Sequence, residues 1–277
     1  MKEHVFTSAE GSIFLRHQNL SKNLPVLVLV HGLGESGLCF NEAFESPDLQ
    51  DYTLIVPDML GYGRSTQSYD NDYSMEAQVR RLWRLVDDPK IQTFFILGHS
   101  LGGDIAGLMA ATDTQKRIQG LISVEGALTP SDTFFSSKIL SAAHGEAFNH
   151  WFETEFKEDL VLKRLGNKWP SCRRYYASLQ FARIDALLVN AREICRKSDP
   201  SHGRGETQLG LTYTELKIPK VFCWGSESLS EQTLAFLESH SLEHQKFEPA
   251  FHWPMIDQAQ TFYAFVADFL RETKASC

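Results

Sequence analysis

Long stretches of this chain are apolar at nearly every position instead of at every second one. Leu24 to Val30 is interrupted only by Pro25, and similar runs recur at Thr53 to Val56, Thr93 to Leu97, Gly120 to Val124 and Lys220 to Trp224. A strand reads this way when helices cover both its faces, so these runs predict the interior of a parallel sheet. The chain begins differently: Val5 to Thr7 and Ser12 to His17 flank the turn Ala9-Glu10-Gly11 and predict an antiparallel hairpin. Helical periodicity lies between the runs, most clearly from Ser74 to Val86. There Met75, Val79, Leu82, Trp83 and Val86 share one face, while Arg80, Arg81 and Arg84 lie off it. A last short strand is expected around His244 to Phe247. Strands alternating with helices imply right-handed crossovers. These set the loops that follow the strands along the carboxyl edge of the sheet, where open α/β sheets build their sites.

One connection breaks the rhythm. Between Val124 and Lys220 lie 95 residues (219 − 124), far more than a single crossover helix occupies. The segment is rich in helix formers and in aromatics such as Phe134, Phe135, Trp151, Phe156, Trp169 and Tyr175. It predicts a helical cap, 131–213, inserted before the penultimate strand of a core made of 1–130 and 214–277, with most of the aromatics packing cap onto core.

Composition fits that architecture, since 277 residues with 43% hydrophobic content can bury a full core. The net charge of −8, from 27 basic and 35 acidic residues without a long like-charge block, argues against a nucleic-acid partner. No apolar run approaches the ~20 residues of a membrane span, and Met1 to Phe6 lacks a hydrophobic signal region. A cytoplasmic protein without a membrane span is the expectation. Cys39, Cys172, Cys195, Cys223 and Cys277 have no C-x-x-C spacing and predict free thiols instead of a disulfide framework or zinc cluster.

The chemistry concentrates at Gly98-His99-Ser100-Leu101-Gly102, directly after a predicted strand and before the small-residue helix Gly103 to Ala110. A serine at the apex of such a turn takes strained backbone geometry. Flanking glycines remove the Cβ atoms that would collide there, and the hydroxyl projects at the positive end of a helix. Two further motifs end strands: His31-Gly32-Leu33-Gly34 after the first parallel run and Pro57-Asp58-Met59-Leu60-Gly61-Tyr62-Gly63-Arg64-Ser65 after the second. With these three motifs in this order, the chain resembles the α/β-hydrolase superfamily, specifically its serine hydrolases with a helical cap, from the first hairpin to the final helix. The resemblance implies a mostly parallel eight-stranded sheet flanked by helices and Ser100 as nucleophile. It also implies the backbone N–H groups of Leu33 and Leu101 as oxyanion donors, and preorganised amides aimed at a developing oxyanion contribute several kcal/mol. His31, His99 and Asp58 read as loop braces, and Asp104 as a helix-start carboxylate.

A serine hydroxyl needs a base, and the expected one is His252 in Pro249-Ala250-Phe251-His252-Trp253-Pro254, just after the last strand. His240 and His244 sit before or within that strand. The acid departs from the common pattern: many relatives carry W-G-x-x-D, whereas Trp224-Gly225-Ser226-Glu227 is followed here by Ser228. A carboxylate is required because it sets the histidine tautomer and stabilises the imidazolium. Glu125, in Ser123-Val124-Glu125-Gly126, resembles the alternative acid location of some haloalkane dehalogenases and keeps the order Ser, acid, His. A glutamate ending a buried strand is costly unless paired. Glu227 is the alternative acid, and an altered triad remains a third reading.

A serine at the elbow argues against the dehalogenase and epoxide hydrolase branches, whose nucleophile is a carboxylate. The expected function is cleavage of a carboxylic ester or related acyl bond of a small to medium hydrophobic substrate through an acyl-enzyme, with no metal or organic cofactor. Thioesters, lactones, amides, carbon-carbon bond hydrolysis and acyl transfer use the same constellation. A capped-pocket ligand-binding protein with weak or no hydrolysis is the reading from another class.

Overall fold

A computed structural model of the chain describes residues 1–143, 147–200 and 206–275. One eight-stranded sheet runs in the order β1-β2-β4-β3-β5-β6-β7-β8. The strands are β1 (Lys2–Ser8), β2 (Gly11–Gln18), β3 (Val26–Val30), β4 (Thr53–Pro57), β5 (Phe94–His99), β6 (Ile118–Val124), β7 (Lys220–Gly225) and β8 (His244–Phe247). Only β2 runs against its neighbours; the pairs β3 with β4, and β5 through β8, are parallel. Every residue of β3, β4 and β5 is buried, which is why their sequences are continuously apolar.

The helix Met75–Leu85 starts at Ser74, whose hydroxyl accepts the Ala77 N–H at 3.2 Å. Met75, Val79 and Leu82 are buried as the periodicity predicts, but Arg81 is buried too. Glu10 and Asp70 meet its guanidinium at 2.9 and 3.3 Å, and Ser68 Oγ accepts from it at 2.8 Å, so the charge enters the protein already paired.

Between β6 and β7 the chain forms the helices Phe134–Ala142, Pro170–Leu179, Ile184–Lys197 and Gln208–Glu215, with a π-helical stretch over Phe152–Leu165. Polar contacts dock this insert on the strand-end loops. Tyr62 donates to Asn190 at 2.7 Å, Asn190 Nδ2 to the Tyr73 carbonyl at 2.6 Å, and Lys197 and Arg174 pair with Glu76 and Glu42. Phe148 stacks on Trp151 and on Phe152, Phe152 stacks on Phe156, and Trp169 stacks on Phe251. Among the described residues Cys39, Cys172, Cys195 and Cys223 are free, and no helix is long and apolar enough to cross a membrane. Cys277 lies outside the described residues.

Candidate active site

Ser100 stands between β5 and the helix Leu101–Ala111 with φ 51° and ψ −124°, a conformation few side chains other than glycine adopt. The turn closes only because its flanks are bare. A Cβ on Gly98 would lie 2.1 Å from the Gly102 carbonyl oxygen, and one on Gly102 would lie 2.1 Å from that of Val30. The Ser100 N–H donates to the Val124 carbonyl at 2.7 Å, tying the turn to the end of β6.

Glu125, the first residue beyond β6, also has a positive φ, 52°. Its Oε2 lies 2.7 Å from His252 Nδ1, while Oε1 accepts the Gly225 N–H at 2.8 Å and the Ser228 hydroxyl. The serine in the W-G-x-x-D slot therefore serves a carboxylate that reaches the same place from the neighbouring strand. Burial works to lower the His252 pKa, but the charge and hydrogen bond of Glu125, helped by Glu35 and Asp132, hold it above the ordinary 6.5.

A cavity of about 320 Å³ brings Leu33, Ser100, Glu125 and His252 together. Leu101 is fully buried at the first position of the helix behind Ser100. Glu227 reaches the same cavity, but its side chain is half-exposed and its Oε2 accepts from Lys168 Nζ at 2.9 Å. It is Glu125, and not Glu227, that holds His252. Asp58 is a brace: fully buried, it accepts from Arg16 and the Gly37 N–H through Oδ1 and from the Arg64 N–H through Oδ2. His31 accepts the Met59 N–H through Nε2 at 2.9 Å. Asp104 does more than start a helix. Its Oδ1 accepts the Ala127 N–H at 2.8 Å, and burial pushes its carboxyl well above the usual range. Among the described residues no group of His, Cys, Asp and Glu is arranged to hold a metal ion.

The alpha/beta hydrolase fold family matches residues 25–171, more than half of the 277. The chain belongs to that family. One relative that spans nearly all of it is named as a hydrolase. A 2-hydroxy-6-oxononadienedioate/2-hydroxy-6-oxononatrienedioate hydrolase of Paraburkholderia xenovorans is 23% identical over 280 residues, covering 94% of this chain and 92% of that protein. The magnesium-chelatase 30 kDa subunit of Rhodobacter capsulatus is 34% identical over 97 residues, and this match spans only 34% of that protein. A solved N-acyl homoserine lactonase superposes with a TM-score of 0.76 at 20% identity, covering 98% of this chain and 97% of that one, which is a likeness of fold.

In this chain a second buried carboxylate, absent from the sequence-derived site, links the loops that carry the site. Glu35 is 1% exposed and also borders the cavity. Its Oε2 accepts the Gly32 N–H at 2.6 Å and lies 3.0 Å from His99 Nδ1, while its Oε1 accepts from the Trp253 indole. His99 Nε2 lies 2.9 Å from the His252 carbonyl oxygen. Both His99 nitrogens thus face oxygen atoms, one on Glu35 and one on the His252 backbone. Burial alone would raise the Glu35 carboxyl. The charge and hydrogen bond of His99, with the bonds from Trp253 and Gly32, instead bring it from 4.5 down to about 2. The segments holding Leu33, Ser100 and His252 are thereby fastened to one side chain. The only sequence signal was a carboxylate directly after Gly34, and its partner Trp253 is 218 residues away.

Proposed function

We propose that this hydrolase cleaves carboxylic esters or related acyl bonds of small to medium hydrophobic substrates through an acyl-enzyme on Ser100. The observation that carries the reading is the 2.7 Å contact between Glu125 and His252 within the cavity that also holds the strained Ser100. Ser100 Oγ attacks the acyl carbon while His252 Nε2 takes its proton, and the negative charge passes to the acyl oxygen. The N–H groups of Leu33 and Leu101 receive that oxyanion. The tetrahedral species collapses, His252 returns the proton to the departing alkoxide, and an alcohol leaves. Water then attacks the acyl-enzyme with His252 again as base, and the acid departs. Glu125 keeps the proton of neutral His252 on Nδ1 and stabilises the imidazolium formed at each step. The helices of 131–213 act as a cap, with Phe134, Phe135 and Tyr175 on the cavity wall.

Ser228 in place of the usual acid would suit a receptor with a weakened triad. Its hydrogen bond to Glu125 instead supports a working acid. Labelling by a fluorophosphonate probe, compared between wild type and Ser100→Ala, tests the nucleophile. Turnover of p-nitrophenyl acetate and butyrate, lost together with labelling in Ser100→Ala, is the expected result; wild-type protein that neither labels nor turns over would refute the reading.

A further inference from the structure

The described residues lining the cavity include the carboxyl groups of Glu35, Asp104, Glu125, Asp132 and Glu227 and no lysine or arginine. Three of these carboxylates already face a nitrogen-bearing side chain. Glu35 faces His99, Glu125 faces His252, and Glu227 takes the ammonium of Lys168 at the surface. Asp132 accepts the Leu128 and Thr129 N–H groups through Oδ2 and the Thr233 hydroxyl through Oδ1. Burial raises both the Asp104 and Asp132 carboxyls. A second observation concerns Asp104 alone: although it is nine-tenths buried, its Oδ2 has no hydrogen-bond partner among the described residues. The remaining wall is largely aromatic, with Phe134, Phe135, Tyr175 and Trp253. Their π faces attract cations and repel anions.

We propose that this cavity selects substrates by charge. It accepts acyl groups that are uncharged or cationic beyond the scissile bond and rejects those bearing a carboxylate. The inference rests on the acyl-hydrolase reading and names its substrate class. A carboxylate entering the cavity gives up water and finds no lysine or arginine among the described residues that line it. It also lies against like charges where the dielectric is low. An ammonium or an uncharged polar group meets neither penalty. The same physics speeds turnover, since the acid product is itself an anion and is expelled.

Three 4-nitrophenyl esters test this: those of monomethyl glutarate (uncharged), hemiglutarate (anionic) and 4-(trimethylammonio)butanoate (cationic). Each kcat/KM is divided by the rate of hydroxide hydrolysis of the same ester. The expected result is an anionic ester on the order of 10²-fold below the uncharged one, the range over which like-charge juxtaposition discriminates, and a cationic ester at or above it. Leu229→Lys, which sets an ammonium on the cavity wall, is expected to shrink the ratio at least about tenfold, and Glu227→Gln, which frees Lys168, to shrink it several-fold. Calorimetric Kd values for the same esters on Ser100→Ala protein read selection without chemistry. Equal normalised kcat/KM for anionic and uncharged esters, or ratios unmoved in both variants, would overturn the inference while leaving the hydrolase reading intact. Discriminating Kd values without turnover by wild type would do the reverse.

Discussion

Glu125→Gln replaces one oxygen of the site by an NH₂ group, and the surroundings dictate which one. Oε1 accepts two hydrogen bonds, from the Gly225 N–H and the Ser228 hydroxyl, so the amide oxygen must take that position. The NH₂ then faces His252 Nδ1, 2.7 Å from the lost Oε2. Two donors cannot share that contact, so Nδ1 gives up its proton and Nε2, the atom that must receive the Ser100 proton, is already protonated. The wrong tautomer in a serine triad lowers kcat by about 10⁴-fold, equivalent to about 5.5 kcal/mol of transition-state stabilisation. Glu227→Gln, which breaks only an exposed ion pair, is expected to change kcat by less than about threefold. The pH profile carries an independent sign. In wild type the His252 pKa is raised, and activity falls as pH drops through that raised value because the base becomes protonated. In Glu125→Gln the main raising influence is gone and burial still lowers the pKa, so the acid limb of the residual activity moves to lower pH. Hydrolysis of p-nitrophenyl butyrate from about pH 5 to 9 reads both effects. Retention of more than about a tenth of kcat in Glu125→Gln, or an equal loss in Glu227→Gln, would refute the reasoning.

Ser228→Ala removes one of the two donors that hold Glu125 Oε1 and leaves Gly225. A hydrogen bond to a charged group is worth about 1.5 kcal/mol, so kcat should fall roughly tenfold with KM nearly constant. Ser228→Thr, which keeps the hydroxyl, should recover most of the loss; an alanine variant with unchanged kcat would exclude a positioning role. Glu35→Gln tests the buried pair through stability. The Glu35 carboxyl lies at about 2 against an unfolded value of 4.5, so its stabilisation is present above the unfolded value and is lost as pH falls toward the folded one. That shift corresponds to on the order of 3 kcal/mol. Urea unfolding of Glu35→Gln should show a lower midpoint at neutral pH and a shallower decline between about pH 5 and 2 than wild type; parallel declines would rule out the pair as the source.

The fold was legible because burial on both faces of a strand leaves a one-dimensional mark. The apolar runs coincide with β3 to β7 to within a few residues, and Gly98 and Gly102 announced the elbow because no side chain fits at either position. Arg81 escaped that logic: its charge placed it outside, while partners from Glu10 and Asp70 brought it in. Of the candidate site, Ser100, Glu125 and His252 could be nominated singly, each at a strand end. Local pattern could not choose between Glu125 and Glu227, since both follow strands and either one preserves chain order.

Tertiary structure decided what depends on distances between segments remote along the chain. Adjacent pairing of β6 and β7 carries Glu125 to the Gly225 N–H and Ser228, converting an apparent loss in one strand-end loop into support for an acid from the other. The Glu35 hub and the charge character of the cavity arise in the same way, from side chains far apart in sequence. Hydrophobic periodicity is a property of neighbours in the chain and survives in one dimension. Hydrogen bonds and charge pairs form between neighbours in space, and only the folded sheet determines which those are.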